Sequence, residues 1–187
     1  MELSDQELCL RPRAANDRVV LDWSGDSESE RFGLELEGSS WSGQWDRRRR
    51  QAFWICVDGT EVGEVDLFDI RRGDQTAELR IGIAGGSLLG KGYGRRALQL
   101  LLTYAELHLR LREVYLRVRE NNGRAVACYR SCGFRARGRL EGRHFPDPVL
   151  LMTRRLGSER PVERASCETL VEDAVDGGAT GLAAQSV

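Results

Sequence analysis

Two stretches of this 187-residue chain combine residue types at spacings that can do chemistry. The first is Gly85-Gly86-Ser87-Leu88-Leu89-Gly90-Lys91-Gly92-Tyr93-Gly94-Arg95-Arg96-Ala97. Backbone without Cβ bulk lets successive N–H groups converge on an anion, and a helix beginning at such a loop adds partial positive charge. The segment therefore reads as a phosphate cradle, with a purely structural glycine turn as the bland alternative. The second stretch is Asn122-Gly123-Arg124-Ala125-Val126-Ala127-Cys128-Tyr129-Arg130-Ser131-Cys132-Gly133-Phe134. It offers Asn122, a residue type suited to capping a helix, and Tyr129, a phenol of ordinary pKa about 10. Glu78 stands just ahead of the glycine loop as a carboxylate able to take a proton, with an exposed strand residue as the alternative reading. His108 and His144 have a suitable pKa, but they fall at a helix end and in a loop.

These groups must be positioned by local structure. Residues 8–13 alternate apolar and polar and predict a first strand. Residues 16–46 set Val19, Leu21, Trp23, Phe32, Leu34, Trp41 and Trp45 among many acids, which suits one or two helices and loops. Then 52–57, a turn at Asp58-Gly59, 61–70, a second turn, and 76–83 predict an antiparallel meander of three strands. After the glycine loop, Ala97, Leu98, Leu101, Leu102, Ala105 and Leu109 recur at helical spacing. A strand at 114–118, a short helix at 124–131 ending at Gly133, and strands at 134–140 and 148–153 complete the order. The whole predicts an α/β domain: a mixed, mostly antiparallel sheet, a strand–glycine loop–helix unit, and helices on both faces.

The length suits one domain, residues 1–156, followed by an acidic tail, 157–187, too poor in large apolar residues to order itself. A formal charge of -1 provides no global positive field toward nucleic acid or anionic membrane. No run reaches the roughly 18 apolar residues of a membrane span, and residues 1–6 lack a secretory leader, so a soluble cytoplasmic protein is expected. Five cysteines, Cys9, Cys56, Cys128, Cys132 and Cys167, are scattered without CxxC spacing. Neither a disulfide framework nor a metal site is expected, and reduced thiols are. The basic run 47–50 reads as a solvated face or turn. Monomer and homodimer both stay open.

Three nucleotide-binding patterns compete for the glycine loop. A Walker-type loop needs Ser or Thr where Gly92 stands. Gly92-Tyr93-Gly94-Arg95-Arg96-Ala97 satisfies a dinucleotide fingerprint, but a meander precedes it and the acid expected about 20 residues on is missing. The third pattern joins the loop to the downstream NxxAxxxYxxxGF segment at 122–134. The pair resembles the GNAT (GCN5-related N-acetyltransferase) superfamily. Ala77-Glu78-Leu79, Leu116-Arg117-Val118 and Val149-Leu150-Leu151-Met152 look like its branch of ribosomal-protein N-terminal and spermidine acetyltransferases. Leu89 replaces a frequent Gln or Arg, Arg80 a frequent Gly, and Arg110 a helix-ending Gly.

The resemblance implies acetyl-CoA as acyl donor and no metal. Leu89, Gly90, Lys91, Gly92, Tyr93, Gly94 and Arg95 would hold its pyrophosphate, Asn122 would contact it, and the thioester would lie along 79–83 near Ile83. A backbone N–H there would stabilise the developing oxyanion. Transfer would be direct, leaving Cys128 and Cys132 as core residues, with Tyr129 the acid that protonates the leaving thiolate. Glu78 would be the base. At pH 7 an alkylamine of pKa about 10.4 costs roughly 4.6 kcal/mol to deprotonate and a peptide α-amine only about 1, so a base matters most for polyamine or aminoglycoside-like acceptors. Asp17, Asp22, Asp26, Glu28, Glu30, Glu35, Glu37 and Asp46 fall where the superfamily lines its acceptor side, favouring a cationic amine. The acceptor stays open among a protein N-terminus, a polyamine and an aminoglycoside-like amine. A non-catalytic acyl-CoA-binding regulator and a nicotinamide oxidoreductase are the alternatives.

Overall fold

A computed structural model describes residues 3–5, 7–14, 49–142 and 145–157. The helices expected within 16–46, the acidic side chains from Asp17 to Asp46, His144, Cys167 and the tail beyond 157 lie outside the described residues. The chain runs β1 Leu3–Asp5, β2 Leu8–Pro12, β3 Gln51–Val57, β4 Thr60–Arg71, β5 Thr76–Ile83, α1 Tyr93–Leu107, β6 Glu113–Arg119, α2 Gly123–Ser131, β7 Arg135–Gly142 and β8 Phe145–Arg155. The strands form one 8-stranded sheet in the order β1-β2-β3-β4-β5-β6-β8-β7. All pairings are antiparallel except β5 with β6.

The expected meander is β3-β4-β5. Its first turn places Asp58 at φ 49 and Gly59 at φ 77, the doubly left-handed backbone that a two-residue hairpin matched to strand twist requires. β1, an edge strand, adds an unexpected neighbour to β2.

Alternation divides the sheet into two faces. Leu8, Leu10, Phe53, Ile55, Val65, Leu67, Ala77, Leu79, Val114 and Leu116 belong to one apolar cluster with Ala97, Leu98, Leu101, Leu102 and Ala105 of α1. Fully burying each such leucine contributes roughly 1.5–3 kcal/mol. The helix ends at Leu107, two residues earlier than its apolar spacing suggests, because Arg110 adopts φ 54. The left-handed position often filled by glycine is thus kept by an arginine. The opposite face carries Trp54, Glu64, Asp66, Phe68, Glu78, Arg80, Tyr115 and Arg117, set by the same alternation.

Candidate active site

β5 and β6 are the only parallel neighbours among the described strands, and they pair only at Thr76↔Glu113, Ala77↔Val114 and Glu78↔Tyr115. β5 continues to Ile83 and β6 to Arg119 without further pairing, so the sheet splits into a V with Glu78 and Tyr115 at its apex. Which backbone groups face the split follows from the register. Ala84 N donates to Val62 O at 2.8 Å, so the even-numbered residues of β5 turn their peptide groups toward β4. Gln75 O accepts from Arg112 and Glu113 on the other side, so the odd-numbered residues face β6. Leu79, Ile81 and Ile83 therefore present peptide edges to the gap beyond the last β5–β6 pair. Unpaired N–H groups at such a place need an acceptor, and a thioester carbonyl is one.

Because β5 and β6 are parallel, the loops that follow them emerge at the same end. The glycine loop leaves β5 through a short 3-10 turn, Gly86–Leu88, and enters α1 at Gly92. Gly90 and Gly92 have φ 78 and 84, and a Cβ placed on either would meet nothing within 4 Å. The first helical bond is Arg96 N to Gly92 O, and no side chain caps the N-terminus, nor does its first turn hold an acid. The N–H groups of Tyr93, Gly94 and Arg95 thus precede the first acceptor inside the helix. Lys91 and Arg95 are exposed beside them. Backbone donors, open space and cations fit a pyrophosphate. Ile83, Leu88 and Tyr93 pack against the core beneath the loop, and Leu89, half-buried, is extended at φ -72, ψ 149.

α2 follows β6 on the far side of the gap. Asn122 is its N-cap, Oδ1 accepting from Ala125 N at 3.0 Å. Tyr129 is buried, with its ring edge-on to Phe134 at 5.9 Å, and its hydroxyl makes no hydrogen bond to another described residue. Burial, followed by the charges of Cys128 and Cys132, pushes its pKa up, so the phenol keeps its proton at neutral pH. Cys128 and Cys132 touch across one helical turn. Their shared hydrogen bond raises the half-buried Cys128 and lowers Cys132, whose Sγ points at Arg95 O at 3.9 Å. The end of α2 is thereby held against the first turn of α1. Cys9 and Cys56 also face each other across β2 and β3. All four are free thiols, and the meeting of Cys9 with Cys56 is set by the sheet register.

Glu78 lies at the apex of the V, 7% exposed, its Oε1 taking Arg117 Nε at 2.7 Å. Two further carboxylates on the same face are absent from the sequence reading. Glu64 accepts from Arg13 at 2.6 Å, and Asp66 Oδ2 accepts from Arg50 Nε at 2.7 Å. Burial raises Glu64 to about 7 despite Arg13, with Asp66 adding to the rise, and burial also raises Asp66. Asp66 Oδ1 is the only fully buried side-chain polar atom among the described residues without a partner. Arg50, expected in a solvated basic run, is drawn inward by Asp66 instead, and Arg80 lies over the Phe68 ring at 3.9 Å. The Glu-Val-Asp alternation of β4 was visible in sequence, but nothing in it told which face would be closed. His108 ends α1, stacked on Tyr104 at 5.2 Å, at the opposite end from the glycine loop.

The described residues thus make a parallel strand pair split at its carboxyl end, with a glycine-rich helix N-terminus on one side and a buried tyrosine on the other. The acetyltransferase (GNAT) domain model matches residues 7–135, and the chain belongs to that family. Spermidine N(1)-acetyltransferase of Escherichia coli K12 is 34% identical over 93 residues, 50% of each chain. The Vibrio cholerae spermidine N(1)-acetyltransferase is 36% identical over 84 residues, 45% of this chain and 48% of that one. The chain thus spans about half the length of the curated relatives it matches. Among solved structures, the Vibrio cholerae spermidine N-acetyltransferase in complex with CoA and spermine aligns at TM-score 0.66 and 24% identity, over 81% of this chain and 96% of that one, a likeness of fold. Mycobacterium smegmatis RimJ in complex with CoA-disulfide aligns at TM-score 0.53 and 26% identity, over 57% and 53%.

Proposed function

We propose that this chain transfers the acetyl group of acetyl-CoA directly to a primary amine, with a polyamine as the acceptor. The observation that carries the transfer is the split between β5 and β6, where open peptide edges at Leu79, Ile81 and Ile83 meet a glycine cradle at one end. Names of relatives support the polyamine, as does the run of acids within 17–46.

In this reading Gly90, Gly92 and Gly94, with Lys91 and Arg95, hold the pyrophosphate, and Leu89, Tyr93 and Asn122 line its approach. Acetyl-CoA supplies the activated acyl group. The Ile81 or Ile83 N–H bonds the carbonyl oxygen as it gains charge, a contribution worth several kcal/mol in comparable sites. Tyr129 delivers its proton to the departing sulfur, whose thiol pKa of about 8.5 makes it an acceptable base once the bond stretches. Glu78 is one carboxylate available for the acceptor's proton. The thiols of Cys128 and Cys132 pack the helix and form no acyl intermediate.

Calorimetric titration with acetyl-CoA, with NADH and ATP as controls, followed by a spermidine, aminoglycoside and peptide panel read by mass spectrometry, tests this. Acetyl-CoA binding with an acetylated polyamine is expected. Preference for NADH or ATP would overturn the cofactor reading, and acetylation of peptide N-termini alone would overturn the acceptor.

A further inference from the structure

The proton acceptor can be located more closely, resting on the amine-transfer reading above. On the polar face of β5 the positions are Thr76, Glu78, Arg80 and Gly82, and only Gly82 lacks a side chain. Its direct partner on β4 is Glu64. Gly82 lies between Ile81 and Ile83, the two residues whose peptide edges face the gap. A carboxylate one strand over, at about 4.8 Å spacing, can extend across the bare glycine toward that edge with no side chain between. Glu78 is three residues from Ile81, roughly 10 Å along the strand; each carboxylate holds one arginine, Arg117 at 2.7 Å on Glu78 and Arg13 at 2.6 Å on Glu64, so distance to the gap decides between them. The opposite face of β5 is sealed by α1, so an amine has to reach the carbonyl from the face that carries Glu64.

We propose that Glu64 accepts the proton of the acceptor ammonium, directly or through one water, and so generates the attacking amine. The ammonium N–H bond breaks, the proton joins the Glu64 carboxylate and passes to solvent, and the freed lone pair attacks the carbonyl carbon. As the C–N bond forms, the nitrogen loses its second proton to solvent. The C–S bond then breaks, the departing sulfur takes a proton from Tyr129, and Tyr129 regains one from solvent. One proton is released per turnover.

The surroundings suit that task. Glu64 faces Trp54 on β3 and Asp66 on its own strand, with Arg13 and Arg50 as the cations that act on it. Burial and Asp66 outweigh Arg13 and Arg50 and bring it to about 7, near the operating pH where a general base is most effective. Asp66 is a positioning residue here: its negative charge raises Glu64 without touching substrate.

The test is the pH profile of kcat at saturating acceptor for wild type, E64Q, E64D, D66N and E78Q, with acetyl-CoA affinity measured alongside. Wild type is expected to gain activity as pH rises through neutrality. E64Q loses that limb and about 100-fold or more in kcat while still binding acetyl-CoA. E64D recovers part of the rate, and D66N moves the limb to lower pH, which a merely structural Glu64 would not produce. A limb intact in E64Q and abolished in E78Q overturns the proposal alone. Should E64Q fail to fold, a limb unmoved in both E64D and D66N overturns it. A wild type that binds acetyl-CoA yet acetylates no amine overturns the transfer reading and this proposal together.

Discussion

Replacing Tyr129 with phenylalanine should separate the catalytic role proposed for it from its part in stability. The ring is buried and edge-on to Phe134 at 5.9 Å, and phenylalanine keeps both the ring and that contact. The hydroxyl has no hydrogen-bond partner among the described residues, so its removal orphans no donor or acceptor, the event that makes such deletions costly. Folding stability should change by less than about 1 kcal/mol. The proposed pyrophosphate contacts lie on the glycine loop, so acetyl-CoA affinity should hold. Losing a positioned acid removes typically 100- to 10,000-fold of rate, about 3–5 kcal/mol of transition-state stabilisation. Steady-state release of free CoA gives kcat, calorimetry gives Kd, and thermal melting gives Tm. A kcat near wild type would refute the acid assignment. A fall in kcat matched by a fall in Tm or in acetyl-CoA affinity would show that Tyr129 acts by packing.

Gly92→Ala places a Cβ on backbone at φ 84, and a free loop that relaxes from that φ has to regain a strain of roughly 1–2 kcal/mol on binding, so acetyl-CoA affinity should fall about 5- to 30-fold by calorimetry. An unaltered affinity would remove Gly92 from the cradle. Gly63→Ala should act on the fold: its Cβ would lie 2.3 Å from Gly82 O and 3.1 Å from Ile83 Cα, both backbone atoms, so β4 and β5 have to separate. A loss of roughly 2–4 kcal/mol in denaturant unfolding is expected, and a near-neutral result would contradict the close approach of the two strands. Glu64→Gln should change how stability depends on pH. A carboxyl raised in the folded state binds more protons there than when unfolded, so it lowers stability as pH rises from 4.5 to about 7. The variant should lose that downward component, and unfolding curves with the same slope in both proteins would refute the burial of Glu64.

Element type was readable wherever period and punctuation agreed. Ala97, Leu98, Leu101, Leu102 and Ala105 named the buried side of α1, and Asp58-Gly59 named a hairpin, because both signals are local and need no partner. β1 escaped because Leu3–Asp5 is too short for alternation to declare itself. α1 stops two residues short of its apolar spacing, and Arg110 beyond it takes a left-handed φ that its side chain does not advertise.

The spacing of the glycine loop from Asn122 and Tyr129 carried the family, since glycine loops and helix caps are built from neighbours in the chain. Cross-strand relations are another matter. Glu64 stands beside Gly82, Asp66 beside Arg80 and Cys9 beside Cys56 through pairings made by the sheet register, and Arg50 reaches Asp66 from just ahead of β3. Which peptide edges face the gap depends on where β5 and β6 stop pairing, after Glu78 and Tyr115. A carboxylate has the same formula in every strand, but its proton affinity depends on what buries it, and that is decided by residues far away in sequence. Local pattern therefore determined the elements and the glycine loop, whereas only the tertiary structure decided which acids are buried, that Cys9 meets Cys56, and which peptide edges face the gap.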